Sequence, residues 1–267
     1  MLKILVCVKQ VPDVNLVKID PVTGSLIRDG VPAIMNPLDG SALEAAVRIK
    51  ETYGAEITAI TMGPDNAAAV LRECIAVGAE RAILCSDYAF KDADTLSTSY
   101  VIGKGAKMFG EYDLIICGKE TLDGATGQMG SQLAERFGAT MVSATSLIME
   151  VNEEKGTVIA ERELENGMEI LEAKMPALFT VEKTHYQPRI PNFKGWKFAR
   201  TAPITKLTAD TIEGLDRNKI GAPGSGTIVP RTYPPEKQEG GMILDEGSVE
   251  KNVAKVYFVT NLNVPFC

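Results

Sequence analysis

Residues 112–138 hold a short apolar run, a glycine-rich segment and a helical pattern in direct succession. Tyr112 to Cys117 has the β-branched and apolar composition of a strand that is buried in a parallel sheet. Met129, Leu133 and Phe137 then recur every four residues, which places them on one face of a helix. Because a glycine-rich turn leaves the N–H groups at a helix N-terminus accessible, this segment predicts a βα turn that can bind a phosphate.

The glycine spacing of this turn, Gly124-x-x-Gly127-x-x-Gly130, is neither the usual dinucleotide fingerprint nor a P-loop. A plain βα turn therefore remains an alternative to a nucleotide site. Three polar side chains favour the nucleotide, because they lie where a ribose or a pyrophosphate needs partners. They are Asp123, Thr126 and Gln128.

Strand and helix patterns alternate along the first half of the chain. Buried strands are predicted over residues 2–9, 55–61, 81–87 and 113–118. Helices are predicted from Asn36-Pro37 with a capping box at Ser41 and Glu44, after Gly63-Pro64, and over residues 94–109. A two-strand excursion over residues 17–28 turns at Asp20, Pro21 and Gly24. Such alternation, with right-handed crossovers, predicts an α/β fold with a doubly wound, Rossmann-like parallel sheet.

Ligands of such a fold bind in the crevice outside the carboxyl ends of the strands. Four segments converge on that edge, namely residues 7–10, 36–39, 62–64 and 118–130. For Asn36 and Asp39 the alternative is a role as helix-entry residues, and Gly63-Pro64 alone is more often a simple turn. The coincidence of the four segments at one edge predicts a ligand site there.

The charge of the chain argues against a general nucleic-acid binder, since 28 Lys and Arg face 35 Asp and Glu for a net charge of -7. No apolar run approaches 18 residues, and the first residues form a strand pattern rather than a signal peptide. We therefore expect a cytoplasmic protein without membrane insertion.

Cysteine and histidine usage narrows the chemistry. The five cysteines are widely spaced without a CxxC pair, and His185 is the single histidine. Zinc or iron–sulfur sites and most histidine-based acid–base catalysis are therefore disfavoured, and we expect no catalytic residue of that kind. If the chain takes part in redox work, a bound cofactor must carry the reaction.

The pattern changes after Gly138. Residues 144–151 and 157–181 predict an antiparallel extension of the sheet with a turn at Asn166-Gly167. Residues 183–200 then carry five Lys or Arg and no acid, interleaved with aromatic residues. On an acidic chain this segment favours a protein-docking surface over nucleic acid, and the alternative is a solvated loop that covers the core edge.

Residues 1–204 are predicted to form the main domain, and residues 205–267 a C-terminal arm. Gly221–Gly240 contains eight Gly or Pro residues, a density that a compact domain rarely tolerates. We expect the arm to add no core of its own and to reach another chain. The apolar residues 253–260 would pack on that partner or back on the sheet.

Taken together, these segments resemble the β subunit of electron-transfer flavoproteins. The resemblance covers most of residues 1–205 in order and spacing. The matching stretches are residues 5–13, 36–37, the helix at 43–49, 62–64, 78–82, 113–119, 123–130, 162–167 and 175–177.

The resemblance implies an adenine-nucleotide α-hydrolase-like fold and a heterodimer with a larger α subunit that carries one FAD, with the C-terminal arm packed on that subunit. In simple members the β-subunit site holds AMP. In electron-bifurcating members it holds a second FAD that takes a hydride from NADH. One electron then passes through the α-subunit flavin to an acyl-CoA or 2-hydroxy-acid dehydrogenase, and the other passes to ferredoxin or flavodoxin.

The family's nucleotide-site residues fall on all four segments of the predicted edge. They are Cys7, Asn36, Asp39, Met62, Gly118, Asp123, Gly124, Ala125, Thr126, Gly127, Gln128 and Met129.

The loop at residues 123–128 resembles the Asp-Gly-Asp-Thr-Ala-Gln loop of bifurcating members, with Ala125 in place of an acid and Gly127 in place of alanine. The loss of a negative charge near a pyrophosphate relieves repulsion. The loop therefore favours FAD, with AMP in a non-bifurcating electron carrier as the alternative. Glu120, where glutamine is commoner in bifurcating members, departs from this pattern.

In the same family the segment after Pro188-Arg189 is the recognition loop for the dehydrogenase. Its apolar anchor, often leucine, falls here on Phe193. Arg189, Phe193 and Trp196 are therefore expected to dock the partner.

A different class of protein gives the alternative hypothesis. It is an adenine-nucleotide-binding regulator that resembles universal stress proteins. Its phosphate loop is not evident at the expected βα junction. A PP-loop ATPase is disfavoured because the Ser-Gly-Gly signature is missing.

Overall fold

The computed structural model describes residues 1–13, 18–19, 26–27, 31–183, 185–228, 244–245 and 247–261. The chain divides into two compact units, Met1–Pro230 and Arg231–Cys267. The predicted turn residues Asp20, Pro21 and Gly24 lie outside the described residues.

The first unit is built on one nine-stranded sheet. Its strands are β1 (Leu2–Cys7), β6 (Ala55–Met62), β7 (Arg81–Cys85), β8 (Leu114–Gly118), β9 (Thr140–Asn152), β10 (Thr157–Leu164), β11 (Gly167–Lys174), β12 (Ala177–Val181) and β13 (Thr205–Leu207). Two small antiparallel pairs accompany it, β2 (Gln10–Pro12) with β5 (Ala33–Met35) and β3 (Lys18–Ile19) with β4 (Leu26–Ile27). The helices of this unit are α1 (Pro37–Tyr53), α2 (Ala68–Val77), α3 (Thr95–Lys107), α4 (Met129–Phe137) and α5 (Phe193–Ala199).

The strand order of the sheet is β11-β10-β9-β12-β8-β1-β6-β7-β13. From β9 through β12, β8, β1, β6 and β7 to β13 the pairs are parallel, whereas β9, β10 and β11 pair antiparallel. The predicted α/β fold, a doubly wound parallel sheet with an antiparallel extension, is confirmed. The chain runs from β1 outward to β6 and β7 and then returns to β8 on the other side of β1, so the strand order reverses between β1 and β8.

Helices cover both faces of the parallel strands, which explains their continuous apolar composition. Ile4 and Val6 of β1 belong to the core cluster that includes α1 and α2 residues such as Leu71. Leu5 of the same strand belongs to the second cluster, with α3 and α4 residues such as Leu133. Alternate side chains of one strand therefore pack against the helices on the two opposite faces of the sheet.

Two local predictions are wrong. The capping box at Ser41 and Glu44 does not form, because α1 already begins at Pro37 and Ser41 lies inside the helix. The helix start predicted at Asn36-Pro37 is confirmed, since proline at the first helical position fixes φ there. The hairpin turn between β10 and β11 has residues 165 and 166 at its centre, since Gly167 already pairs with Leu164.

The segment that follows α5 contributes to the core, contrary to the prediction for the C-terminal arm. β13 adds to β7 as the ninth strand, and Leu207, Ile212 and Ile220 are buried in the second cluster. These residues precede the Gly- and Pro-rich stretch Gly221–Gly240, so the composition of that stretch does not describe the whole of residues 205–267. The division after Pro230 accordingly lies well beyond residue 205.

The second unit contains one described helix, α6 (Val249–Asn261). Val249, Val253, Val256 and Tyr257 are exposed on it, and their spacing places them on one face. The apolar residues 253–260 therefore belong to an amphipathic helix. Among the helices that the structure describes, none is long and apolar enough to cross a membrane.

Candidate functional site

A cleft of about 500 Å³ opens at the carboxyl ends of β1, β6 and β8. It lies at the point where the strand order reverses, which is where open α/β sheets bind their ligands. Its volume lies within the usual range for small-molecule sites, roughly 300 to 1,000 Å³. The glycine-rich turn, the first turn of α3 and the start of α4 supply most of its walls.

The carboxylate of Asp39 joins the two strands at the floor of the cleft. Its Oδ2 accepts the backbone N–H of Lys9 at 2.8 Å, and its Oδ1 accepts that of Gly118 at 3.0 Å. Burial raises the pKa of Asp39 to about 7, although hydrogen bonds from Lys9, Asn36 and Gly118 act in the opposite direction. Asp39 therefore does more than begin a helix, since it ties the end of β1 to the end of β8.

Asn36 holds the loop that follows β8. Its Nδ2 donates to the carbonyl of Glu120 at 2.9 Å, and its Oδ1 accepts the N–H of Leu122 at 3.2 Å. Asn36 occupies the N-cap position of α1, yet its side chain makes no capping bond there. The side chain is buried and does not line the cleft, so its contribution is to fix the shape of the loop.

Gly118 has no room for a side chain. A Cβ at this position would lie 2.5 Å from Asp39 Oδ1 and 2.8 Å from the carbonyl carbon of Leu38. The close approach of β8 to the start of α1 therefore requires glycine at the point where the strand enters the cleft.

We expect Gly118→Ala to lower the free energy of unfolding by about 1–3 kcal/mol, because the new methyl group must displace α1 from β8. Urea denaturation of the full-length protein measures this change. Gly124→Ala is the matched control, since its Cβ would meet Thr121 Oγ1 at an ordinary 3.4 Å. Equal stability of the two variants would show that α1 moves away without cost.

The glycine-rich turn has two residues in the left-handed region, Ala125 with φ 46° and Gly127 with φ 62°. No atom lies within 4 Å of a Cβ built on Gly127, so this backbone faces open space at the cleft. Gln128 is the N-cap residue of α4 and makes no side-chain cap bond. Its Oε1 instead accepts the hydroxyl of Thr95 at 2.9 Å. The first N–H groups of α4 therefore lack a capping side chain, as an anion site requires.

Two lysines line the cleft, and each is paired with a carboxylate. Lys9 Nζ binds both carboxylate oxygens of Asp123, at 2.7 and 2.8 Å. Burial raises the pKa of Asp123, but hydrogen bonds from Lys9 and Thr121 outweigh it and lower the pKa overall. Lys119 Nζ lies 2.6 Å from Glu182. Asp123 thus anchors the turn to the end of β1 through Lys9.

Two thiols form part of the cleft wall. Cys7 and Cys117 occupy directly paired positions of the parallel strands β1 and β8. Burial is the main cause that raises the pKa of both thiols well above their ordinary value. They are therefore neutral at physiological pH and act as small apolar groups.

Most of the predicted site residues meet at this cleft. The ones that line it are Cys7, Asp39, Met62, Gly118, Gly124, Thr126, Gly127, Gln128 and Met129. Three others, Asn36, Asp123 and Ala125, do not line the cleft. Asn36 and Asp123 hold the turn in place from outside, and the N–H of Ala125 donates to the carbonyl of Thr121 at 2.8 Å.

The predicted set did not include the first turn of α3 and a residue far along the chain. Ala93, Asp94, Thr95 and Thr98 line the cleft, and so does Thr227. The segment at 93–98 follows β7 at the same edge of the sheet, so the carboxyl-end rule could have found it. No sequence pattern predicts Thr227 at the cleft, because its partner Asp94 lies 133 residues earlier in the chain.

The predicted docking residues lie on a different surface, around α5. The guanidinium of Arg189 binds Glu44 at 2.7 Å and Glu51 at 2.5 Å, both on α1. These two carboxylates raise the pKa of Arg189 further above its usual range. Arg189 therefore fastens the segment to the core.

The side chains beyond Arg189 are more open. Phe193 is 82% exposed and Trp196 is 41% exposed, whereas Gly195 packs so closely on Ala76 of α2 that a Cβ would collide with its carbonyl oxygen. The backbone of α5 is thus held against α2 while Phe193 projects into solvent.

The sheet, its reversal point and the cleft define a doubly wound α/β protein with a cleft of small-molecule size at the carboxyl ends of its strands. Residues 23–212 match the Electron transfer flavoprotein domain family. The electron transfer flavoprotein subunit beta of Thermoanaerobacterium thermosaccharolyticum is 44% identical over 253 residues, which covers 94% of this chain and 95% of that protein. The chain therefore belongs to the electron transfer flavoprotein β-subunit family.

Two further relatives have other names. The caffeyl-CoA reductase-Etf complex subunit CarD of Acetobacterium woodii is 41% identical over 251 residues, or 94% of each chain. Protein FixA of Bradyrhizobium diazoefficiens is 36% identical over 266 residues, which covers 98% of this chain and 92% of that protein. The resemblance found in the sequence is confirmed at the level of the family, whose work is electron transfer.

Proposed function

We propose that this chain is the β subunit of a heterodimeric, electron-bifurcating flavoprotein and that its cleft binds FAD. The observation that carries the proposal is the combination of a glycine-rich turn with an uncapped helix N-terminus at one wall of a 500 Å³ cleft. Such a wall suits a pyrophosphate, and the neighbouring walls are apolar enough for ring systems.

The distribution of apolar side chains favours a dinucleotide over a mononucleotide. Met62 lies at the end of β6, whereas Met129 and Leu133 come from α4, which packs against β8 and β12 on the other side of β1. Apolar surface therefore lines the cleft on both sides of the end of β1. AMP has one ring system to bury, and FAD has two.

The residues of the chain fit such a ligand. The backbone around Gly127, the hydroxyl of Thr126 and the first N–H groups of α4 would hold the pyrophosphate, with Lys9 nearby as a countercharge. When bound, FAD supplies the capacity to accept a hydride from NADH and to release the two electrons singly. The chain binds and orients the cofactor, and the neutral thiols Cys7 and Cys117 keep the floor free of thiolate charge.

Three partners follow from this proposal. They are an electron transfer flavoprotein α subunit, a flavin-dependent dehydrogenase, and ferredoxin or flavodoxin. The name of the Acetobacterium woodii relative associates it with a caffeyl-CoA reductase, which supports a dehydrogenase that acts on a CoA ester. The exposed apolar face of α6 suits packing on the α subunit, and the segment 183–200 suits docking of the dehydrogenase.

The nucleotide released from the purified heterodimer tests the proposal. We expect two FAD per heterodimer and reduction by NADH. One FAD and one AMP per heterodimer would instead identify a non-bifurcating electron carrier. A cleft that holds neither nucleotide would contradict both functions, and an ATP-binding chain that does not pair with an α subunit would favour the regulator that resembles universal stress proteins.

Removal of residues 231–267 should separate association from folding. We expect at least tenfold weaker binding to the α subunit, because the exposed apolar face of α6 is lost. The melting temperature of the remaining chain should change by less than about 4 °C, since Leu207, Ile212 and Ile220 of the core are retained. Analytical ultracentrifugation and thermal unfolding measure the two effects.

A point variant gives a finer version of the same measurement. Val253→Asp places a charge on the apolar face of α6 and should weaken association. Lys251→Asp places the same side chain nearly opposite on the helix and should have little effect. Full co-purification of the chain that lacks residues 231–267 would contradict a role of this unit in subunit association.

A further inference from the structure

Residues 221–227 lie against the loop that precedes α3. The N–H of Ala222 donates to the carbonyl of Lys91 at 3.1 Å. Gly221 has φ 59°, and a Cβ there would collide with the carbonyl oxygen of Ala89. Ser225 Oγ donates to the carbonyl of Gly221 at 2.8 Å and accepts the N–H of Asp94 at 2.8 Å. The segment is therefore held closely along residues 89–94.

The carboxylate of Asp94 has two separate tasks. Its Oδ1 accepts the N–H of Ser97 at 3.0 Å and so caps α3. Its Oδ2 accepts the N–H of Gly226 at 2.8 Å, the N–H of Thr227 at 3.0 Å and the hydroxyl of Thr227 at 3.0 Å. One oxygen thus holds the helix and the other holds three donors from a segment about 130 residues later in the chain.

Both Asp94 and Thr227 line the cleft. The remaining lining residues come from the ends of β1, β6 and β8, from the glycine-rich turn, from the start of α1, from the residue before Asp94, and from α3 and α4. Thr227 is the one contributor from beyond α5 among the described lining residues, and no backbone hydrogen bond of a sheet or helix fixes it there. Its place in the wall depends on the Asp94 carboxylate.

We propose that Asp94 is a positioning residue for the nucleotide, which acts by holding Thr227 and Gly226 as one wall of the cleft. The inference rests on the proposed nucleotide site. A nucleotide that contacts this wall stabilises the bonds to Asp94, and by linkage those bonds strengthen nucleotide binding.

Asp94→Asn separates the two tasks of the carboxylate. Asparagine is as good an N-cap as aspartate, so its Oδ1 can keep the bond to Ser97. The amide nitrogen then takes the place of Oδ2. Because it is a hydrogen-bond donor, it cannot accept the three donors of Gly226 and Thr227. α3 should remain intact while residues 226 and 227 are released. Thr227→Val removes only the hydroxyl donor, and Thr227→Ser restores it.

Asp87→Asn is the matched control. Asp87 also accepts two backbone N–H groups with its two oxygens, those of Ala89 and Ala209, each at 2.9 Å. It does not line the cleft. The same loss of a carboxylate oxygen therefore occurs close by without contact to the proposed wall.

The full-length chain, freed of nucleotide, is titrated with FAD and with AMP. We expect Asp94→Asn to weaken the nucleotide that binds by about tenfold, Thr227→Val by a smaller factor, and Asp87→Asn and Thr227→Ser hardly at all. Amide hydrogen exchange at Gly226 and Thr227 should slow when nucleotide saturates the wild-type chain, and should be fast in Asp94→Asn.

Two outcomes would overturn the inference. If the wild-type chain binds nucleotide while Asp94→Asn binds it equally well, and exchange at Gly226 and Thr227 does not respond to the ligand, Asp94 caps α3 and has no positioning role. If the wild-type chain binds neither FAD nor AMP, the proposed site and the inference are wrong together.

Discussion

Gly127→Val is expected to leave the purified heterodimer with an empty β-subunit site. Gly127 has φ 62°, which a β-branched residue adopts only with strain, and its Cβ would project into the open cleft where the backbone must approach a pyrophosphate. We expect at least a tenfold loss of nucleotide affinity, and the flavin content after denaturation measures it.

Gly138→Val is the matched control for this change. Gly138 also has φ 62° and no atom within 4 Å of its Cβ, but it follows the end of α4, outside the cleft. Both variants should therefore lose similar stability from backbone strain. Retention of two flavins per heterodimer by Gly127→Val would place the pyrophosphate elsewhere.

Phe193→Ala is expected to weaken binding of the partner dehydrogenase by at least tenfold at fixed salt. Phe193 is 82% exposed at the start of a helix whose backbone is held on α2. An aromatic anchor at the centre of an interface commonly contributes about 2 kcal/mol or more. Flavin content and reduction by NADH should be unchanged, because the side chain does not reach the cleft. Equilibrium binding of the heterodimer to the dehydrogenase measures the effect.

Other exposed side chains serve as controls. Lys194→Ala and Lys197→Ala should mainly slow association and reduce its dependence on salt. Tyr88→Ala removes an equally exposed aromatic ring outside segment 183–200 and should leave the affinity unchanged. If Phe193→Ala binds normally, or loses flavin instead, segment 183–200 is an edge of the core and not a docking surface.

The sequence alone predicts the parallel sheet and the edge of the sheet at which the cleft opens. Apolar runs such as residues 113–118 are buried on both faces, and this double burial is visible in their composition. The position of the cleft follows from a topological rule that depends on strand order alone.

The functions of individual side chains were harder to predict. Asn36 and Asp39 lie near the predicted edge of the sheet, but their bonds to residues 118–122 depend on a contact between β8 and α1 that no local pattern records. Arg189 was expected on a docking surface, yet Glu44 and Glu51 lie one above the other on α1 and bind it. A charge pattern reveals which residues can pair and not which ones meet in space.

For residues 205–228 the sequence pattern failed to reveal buried residues. The Gly and Pro content of the C-terminal region is high on average, but the average conceals Leu207 and Ile212, which are fully packed. A three-residue strand such as β13 is too short for any periodicity to be recognised.

Helix α1 contacts both proposed surfaces, the nucleotide cleft and the docking segment 183–200. Asp39 in its first turn joins the strands that form the floor of the cleft, and Glu51 near its end holds Arg189 at the base of the segment that carries Phe193. The twelve residue steps from Asp39 to Glu51 span roughly 18 Å of helix. In the proposed complex this helix would therefore set the spacing between the cofactor and the docked dehydrogenase. Insertion of a single residue into it would turn one end by about 100° against the other and put the two surfaces out of register.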